Sequence, residues 1–170
     1  MRPVEVVVTH LELSAETWRG ARALPKDLEL RHEYPPNAAE IASAMYRIVG
    51  GNWHWTDRLP WTGDQWRDAT DSEGVELWTA RIGAAIVGYF QLHVAGDAVE
   101  LKYFGLTPEF TGRGIGGPLL SAAVQRAWSV GARQVTLNTC TLDHPAALHN
   151  YLAAGFRVVR TETERRVLPA

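Results

Sequence analysis

A glycine-rich turn between a predicted strand and a predicted helix constrains this chain most. The apolar run Val99–Leu106 ends at a Thr107-Pro108 turn, and Thr111–Gly117 then carries four glycines just before a helical pattern. Glycine lets the backbone approach an anion closely because no side chain stands in the way. The first amides of a helix lack internal partners, and the helix dipole adds partial positive charge there. Thr111–Gly117 is therefore predicted to hold the pyrophosphate of a nucleotide-like cofactor, with Arg113 adding a full charge.

Two familiar phosphate-binding motifs do not fit this stretch. A P-loop needs Lys followed by Ser or Thr after its last glycine, whereas Pro118 follows Gly117 here. The dinucleotide fingerprint lies in the first strand-to-helix turn, with an acidic residue about 20 positions further on. The turn in this chain comes late, and its glycines alternate. A glycine-rich loop with a structural role remains an alternative at this point.

The composition is that of one globular domain. A chain of 170 residues is long enough for one domain with a full core, so residues 1–170 are predicted to form a single one. The apolar content of 46% is ordinary, and the net charge of -2 gives no sign of a nucleic-acid partner. A lone cysteine, Cys140, fits a reducing compartment. No apolar run reaches the roughly 20 residues of a membrane span, so a cytoplasmic protein without a membrane partner is expected.

Hydrophobic periodicity predicts an α+β fold with a mixed, mostly antiparallel sheet of about six to seven strands flanked by helices. Strands are predicted over Val4–Leu13, Leu28–Tyr34, Val75–Arg81, Ala84–Val94, Val99–Leu106, Val135–Cys140 and Phe156–Thr161, with Glu162–Leu168 as a continuation. Helices are predicted over Ala15–Ala23, Ala38–Val49, Asp64–Ala69, Gly116–Val130 and Ala146–Ala154. A strand, a helix and a parallel strand make a right-handed crossover, so Val135–Cys140 is expected parallel to Val99–Leu106.

The glycine-rich turn and a second motif together resemble the GNAT superfamily of acetyltransferases. That family carries Gln/Arg-x-x-Gly-x-Gly/Ala at the start of its central helix, and Thr111–Gly116 matches it with threonine in first place. The family also carries Asn-x-x-Ala-x-x-Leu-Tyr-x-x-x-Gly-Phe after a strand. Here Ala147, Tyr151 and Gly155-Phe156 match in register, and His144 takes the asparagine position. The resemblance covers about residues 75–161, while the first 70 residues match only in coarse layout.

This resemblance implies the GNAT fold and the direct transfer of an acetyl group from acetyl-CoA to a primary amine. The acceptor would be an unidentified small-molecule or peptide amine. Acetyl-CoA would be the co-substrate, and no metal is expected because the histidines show no metal-ligand spacing. The implied cofactor-binding residues are Leu106, Thr111, Gly112, Arg113, Gly114, Ile115, Gly116, Gly117 and His144. Among them, the N–H of Leu106 matches the family's donor to the thioester carbonyl.

Two residues are predicted to move protons in this reaction. Tyr151 matches the family tyrosine that protonates the departing thiolate, with a packed helix residue as the alternative. Glu100 is the candidate base, because strand alternation is expected to place it on the face of Phe104 and Leu106, and because a glutamate at this position serves as base in histone-acetylating members of the family. His144 and water are rival bases, and His54 and Asp57 are weaker ones.

Four tryptophans lie within residues 53–66, in what the sequence predicts to be a loop and a short helix. Aromatic residues concentrated in a loop often line a pocket or an interface. In the GNAT family the corresponding loop borders the acceptor site, so Trp53, Trp55, Asp57 and Arg58 are predicted substrate contacts. Two other functions stay open: a non-catalytic acyl-CoA-binding or sensing module, and a protein-interaction domain that uses the tryptophan loop. The C-terminal strands could also pair across a homodimer.

Overall fold

Seven strands form one sheet in the computed structural model, which describes residues 1–169. The strands are β1 (Arg2–Ser14), β2 (Leu28–Glu33), β3 (Val75–Ile82), β4 (Ala85–Ala95), β5 (Ala98–Leu106), β6 (Gln134–Cys140) and β7 (Arg157–Leu168). Their order across the sheet is β2-β3-β4-β5-β6-β1-β7. Only β5 and β6 pair in parallel; the other neighbours are antiparallel. The predicted mixed, mostly antiparallel sheet and the parallel crossover are thereby confirmed.

Helices cover both faces of the sheet. They are α1 (Asn37–Gly50), α2 (Gly63–Thr70), α3 (Gly116–Ser129) and α4 (Ala147–Ala154), with short 3₁₀ turns at Gly51–Trp53 and Pro108–Phe110. Adjacent strand residues point to opposite faces, so Phe90 joins the core beneath α3 while Tyr89 joins the core beneath α1 and α2. Thr62 caps the start of α2, in a capping box that it forms with Gln65. In residues 1–169, no helix combines the length and apolar character that crossing a bilayer requires.

The chain from residue 15 to residue 27 is not a helix, so the predicted helix over Ala15–Ala23 was wrong. Strand β1 ends where β6 begins, and β2 begins where β3 ends, at the opposite end of the sheet. The connection must also cross five inter-strand spacings, about 24 Å in all. A helix over Ala15–Ala23 would advance only about 13 Å. After a turn at residues 15–17, the segment therefore runs without regular structure across the face that carries α3 and α4.

Strand β1 lies between β6 and β7, a position that no pattern in the sequence predicts. It pairs with β6 from Val8–Cys140 to Ser14–Gln134, and with β7 along nearly its whole length. The two predicted C-terminal strands are one strand, β7, which forms an edge of the sheet. Pairing of C-terminal strands across a homodimer remains a prediction. In such a dimer, the outer edge of β7 would pair with the same edge of a second copy.

Candidate active site

A cleft opens where β5 and β6 separate. The two strands pair only from Ala98–Gln134 to Glu100–Thr136, while β5 continues to Leu106 and β6 to Cys140. The gap belongs to a cavity of about 580 Å³. Cavities of a few hundred Å³ are typical of small-molecule sites. Because two parallel strands of the sheet part here, backbone groups that would otherwise pair are left facing the cleft.

The backbone of β5 presents a donor to this gap. The Thr107 N–H donates to the Val87 carbonyl at 2.9 Å, which makes this a hydrogen-bonded pair with β4. In an antiparallel pair, residues that bond to the partner alternate with residues whose N–H and C=O face the other edge. The preceding residue, Leu106, therefore directs its N–H away from β4 and toward the gap. Leu106 also lines the cavity, as expected of a donor to a thioester carbonyl.

The glycine-rich turn forms one end of the cleft. Thr111, Gly112, Gly114, Gly116 and Gly117 line it. Gly112 and Gly114 have φ values of 75° and 77°, which other residues adopt only with strain. Among residues 1–169, no side chain caps α3, and the Leu119 N–H donates to the Ile115 carbonyl in the first turn of this helix. The amides of Gly116 and Gly117 precede that bond and are available to an anion.

Two residues of the predicted phosphate seat point elsewhere. Ile115 is 4% exposed and anchors the turn in the core, so its side chain does not line the cleft. The guanidinium of Arg113 lies 4.8 Å from the centroid of the Phe110 ring and outside the cleft. The guanidinium that lies against Gly117 is that of Arg22, which also lines the cleft. Sequence reasoning missed Arg22 because it belongs to a distant segment and to no motif.

Tyr151 lies in the cleft, on α4. Its ring packs edge-on against Phe104 of β5 and against Phe156, with centroid distances of 6.3 and 5.9 Å. Burial raises the pKa of Tyr151 well above its ordinary value, and the negative charge of Asp143 raises it further. The hydroxyl is therefore held in its protonated form, as a proton donor to a thiolate must be.

Asp143 is the one carboxylate that lines the cleft among residues 1–169. One oxygen accepts hydrogen bonds from the Thr139 hydroxyl at 2.6 Å and from the Cys140 N–H at 2.9 Å. The other oxygen lies 3.5 Å from the indole nitrogen of Trp55. Sequence reasoning missed this residue, although a carboxylate directly after β6 and next to the second motif is a signal that could have found it.

His144 follows at the rim of the cleft. Its Nδ1 accepts a hydrogen bond from the Ala146 N–H at 3.0 Å, and its ring packs on Trp53 with centroids 5.0 Å apart. When the imidazole is neutral, this bond occupies the lone pair of Nδ1 and leaves the proton on Nε2. The free nitrogen of the neutral ring is then a donor, which suits a carbonyl of the cofactor better than it suits a catalytic base.

The tryptophan loop is divided between the cleft and the core. Trp53 and Trp55 line the cleft, and the Trp55 ring lies 5.7 Å from that of Tyr103 on β5. Asp57 is exposed and does not line the cleft. Arg58 also lies outside the cleft, with its N–H bonded to the Tyr46 hydroxyl and its guanidinium over Trp61. Two of the four predicted substrate contacts therefore meet at the cleft.

Glu100 does not line the cleft. Gln91 pairs with Tyr103 and Leu92 with Leu101, so Lys102 forms a bulge in β5. A bulge interrupts the alternation of side chains along a strand, and the prediction that Glu100 shares a face with Phe104 and Leu106 was therefore wrong. Glu100 lies instead in a separate depression of about 180 Å³ together with His10, Glu12 and Arg160.

Comparison with known proteins supports the identity of the fold and family. Residues 36–156 match the model of the acetyltransferase (GNAT) family. A GCN5-related N-acetyltransferase from Sphaerobacter thermophilus is 20% identical, with a TM-score of 0.75 over 97% of this chain and 52% of that protein. The present chain thus spans about half the length of that relative. No curated protein sequence matches the chain.

Two further structures carry ligands. A GNAT family acetyltransferase from Elizabethkingia anophelis with acetyl-CoA bound is 18% identical, with a TM-score of 0.60 over 80% of each chain. An aminoglycoside acetyltransferase from an uncultured soil metagenomic sample, in complex with sisomicin, is 13% identical, with a TM-score of 0.60 over 75% of this chain and 85% of that one. At these identities the likeness shows the fold. Since the family model covers more than half of the chain, this protein belongs to the GNAT family of acetyltransferases.

Proposed function

We propose that this protein transfers an acetyl group from acetyl-CoA directly to a primary amine. The observation that carries the proposal is the arrangement of three groups along one cleft. The glycine-rich turn is placed for a pyrophosphate, the Leu106 N–H for a thioester carbonyl, and Tyr151 for the departing sulfur. A thioester is already activated, so orientation of the two reactants supplies much of the rate.

The chemical step needs one proton acceptor and one proton donor. The amine loses a proton to a base and attacks the thioester carbon, forming the C–N bond. The Leu106 N–H stabilises the oxyanion that develops. The C–S bond then breaks, and the thiolate takes the proton of Tyr151, which is regained from the base through solvent. These assignments use one surface of the cleft and need no covalent enzyme intermediate.

Asp143 is a better candidate than Glu100, either for the base or for the residue that binds the acceptor ammonium. It lines the cleft and its charge acts on Tyr151, whereas Glu100 lies in the separate depression. A role for Glu100 would require a chain of water molecules from that depression.

Trp53 and Trp55 flank the acceptor side, so a cationic amine next to an apolar or flat group fits this wall. The structure of similar fold with sisomicin bound supports a small-molecule amine as acceptor, since an aminoglycoside carries several amines.

The arrangement of the tryptophans argues against a protein-interaction domain. Such a domain would show them on one exposed, flat face. Instead Trp53 and Trp55 line the cleft, and Trp66 is 5% exposed and packs against Trp61 with centroids 5.1 Å apart.

The proposal is tested by incubating the purified chain with acetyl-CoA and a panel of amines that includes polyamines, aminoglycosides, amino acids and peptides. Release of free coenzyme A thiol and the mass of the acetylated amine are measured together. Amine-dependent release with a matching product supports the proposal. Calorimetric binding of acetyl-CoA without turnover on any amine of the panel would instead support a binding or sensing module.

A further inference from the structure

We infer that Arg22 is a ligand of the cofactor's pyrophosphate, carried to the start of α3 by the segment that crosses the helical face of the sheet. This inference rests on the proposed function, because it assumes that coenzyme A occupies the cleft. The family motif assigns the pyrophosphate to the glycine-rich turn alone. The structure brings a second element, residues 18–22, to the lining of the same cavity.

Three anchors hold this crossing segment along α3 and α4. The Trp18 ring packs edge-on against Trp128 near the end of α3, with centroids 6.0 Å apart. The Arg19 N–H donates to the Ala154 carbonyl of α4 at 3.1 Å. The Arg22 N–H donates to the hydroxyl of Ser121 in α3 at 2.7 Å. The backbone at residue 22 is therefore held against the second turn of α3, one turn after Gly117.

The guanidinium of Arg22 lies directly beside the phosphate seat. It approaches Gly117 so closely that a side chain at position 117 would collide with it. Gly117 and Arg22 both line the cleft. An anion bound by the amides of Gly116 and Gly117 would thus lie within reach of the guanidinium, and arginine can bind two phosphate oxygens at once.

The charge of Arg22 is unfavourably placed when the cleft holds no anion. The start of a helix carries partial positive charge, so a cation there is destabilising. Within residues 1–169, none of the ion pairs involves Arg22. A pyrophosphate between the guanidinium and the helix would convert this repulsion into two attractions. This arrangement is the one expected of a site that binds a multiply charged anion.

The experiment measures calorimetric affinities of coenzyme A, dephospho-coenzyme A and pantetheine for wild type, Arg22→Gln and Lys26→Gln. Dephospho-coenzyme A keeps the pyrophosphate and lacks the 3′-phosphate, while pantetheine lacks both. Lys26 is the matched control, since it carries the same charge in the same segment and is also exposed, but does not line the cleft. Thermal melting of each variant checks that folding is unchanged.

We expect Arg22→Gln to weaken coenzyme A and dephospho-coenzyme A equally, by about ten- to hundredfold, the range for a hydrogen bond between charged groups. Pantetheine affinity should not change, and Lys26→Gln should alter each affinity by less than about threefold, as for a screened surface charge. In turnover, KM for acetyl-CoA should rise while kcat stays near its wild-type value.

Three results would overturn the inference. Unchanged or tighter coenzyme A binding by Arg22→Gln would mean that the guanidinium merely occupies the seat. A loss confined to coenzyme A, with dephospho-coenzyme A unaffected, would assign Arg22 to the 3′-phosphate. Equal losses in Lys26→Gln and Arg22→Gln would indicate a general charge effect. If wild type binds no coenzyme A at all, the proposed function itself fails, and this outcome is distinct from the other three.

Discussion

The Asp143 carboxylate lies 3.5 Å from the indole nitrogen of Trp55, so the tryptophan loop and the end of β6 meet at one point of the cleft. Trp55 precedes β3 in the chain, whereas Asp143 follows α3 and β6. Within residues 1–169, Asp143 is the only carboxylate that lines the cleft, and this contact brings it next to an aromatic wall. An ammonium group could contact both, through charge on one side and the ring on the other.

Asp143→Asn should lower kcat/KM for the amine by about 10²- to 10⁴-fold, the usual range for loss of a general base. Glu100→Gln should lower it by less than about threefold, because Glu100 lies outside the cleft. Initial rates at several amine concentrations across pH 6–9 measure both effects. Asparagine can still accept the Thr139 and Cys140 bonds, so equal melting temperatures separate chemistry from folding. If Glu100→Gln lowered kcat/KM more than Asp143→Asn did, Glu100 would be the base instead.

Tyr151→Phe should reduce kcat by about 10²-fold or more while leaving the affinity for acetyl-CoA within about twofold, as expected for loss of a general acid. Burial holds the pKa of Tyr151 above its ordinary value of about 10, and the acid form is lost only as pH rises through the raised value. The wild-type rate should therefore show no alkaline decline from this group below pH 10. An unchanged rate in Tyr151→Phe with a working acceptor would show that the thiolate leaves without this donor.

Gly155→Ala should destabilise the fold by more than about 2 kcal/mol, since a left-handed residue other than glycine is strained and a collision adds to that strain. Gly155 ends α4 with φ 108°, and a side chain there would strike the backbone at Thr17 and Trp18. Gly131→Ala is the control, because Gly131 has φ 96° but open space around it. Urea unfolding measures both. Equal losses would show that the crossing segment does not pack on Gly155.

Glu76→Gln should lower stability at pH 7 by about 2 kcal/mol, the order of a hydrogen bond between charged groups. Burial alone would raise the pKa of Glu76, but hydrogen bonds from Arg126 and Trp78 outweigh it, and its pKa is lowered overall. A lowered folded-state pKa gives stability that is present above the unfolded-state value, near 4.3, and is lost as pH falls through the folded-state value. The difference between wild type and variant should therefore shrink below pH 4 in acid unfolding curves.

The sequence alone determined the parts of this protein whose signals are local. The glycine-rich turn, the start of α3 and the Tyr151 motif each depend on residues a few positions apart, and each was located correctly. Alternation and turn residues likewise predicted β3, β4 and β5 to within one or two residues. These features follow from backbone geometry and short-range burial, which a stretch of ten to fifteen residues largely sets.

Only the tertiary structure decided which distant residues reach the cleft. Arg22 enters it because β1 lies between β6 and β7 and the next segment must cross the sheet, and Asp143 enters it because β6 parts from β5 before the end of β6. The bulge at Lys102 turns Glu100 away, although the alternation read from sequence placed it inside. Strand order and bulges depend on pairing between residues far apart in the chain, and such pairing leaves no periodic trace in the sequence.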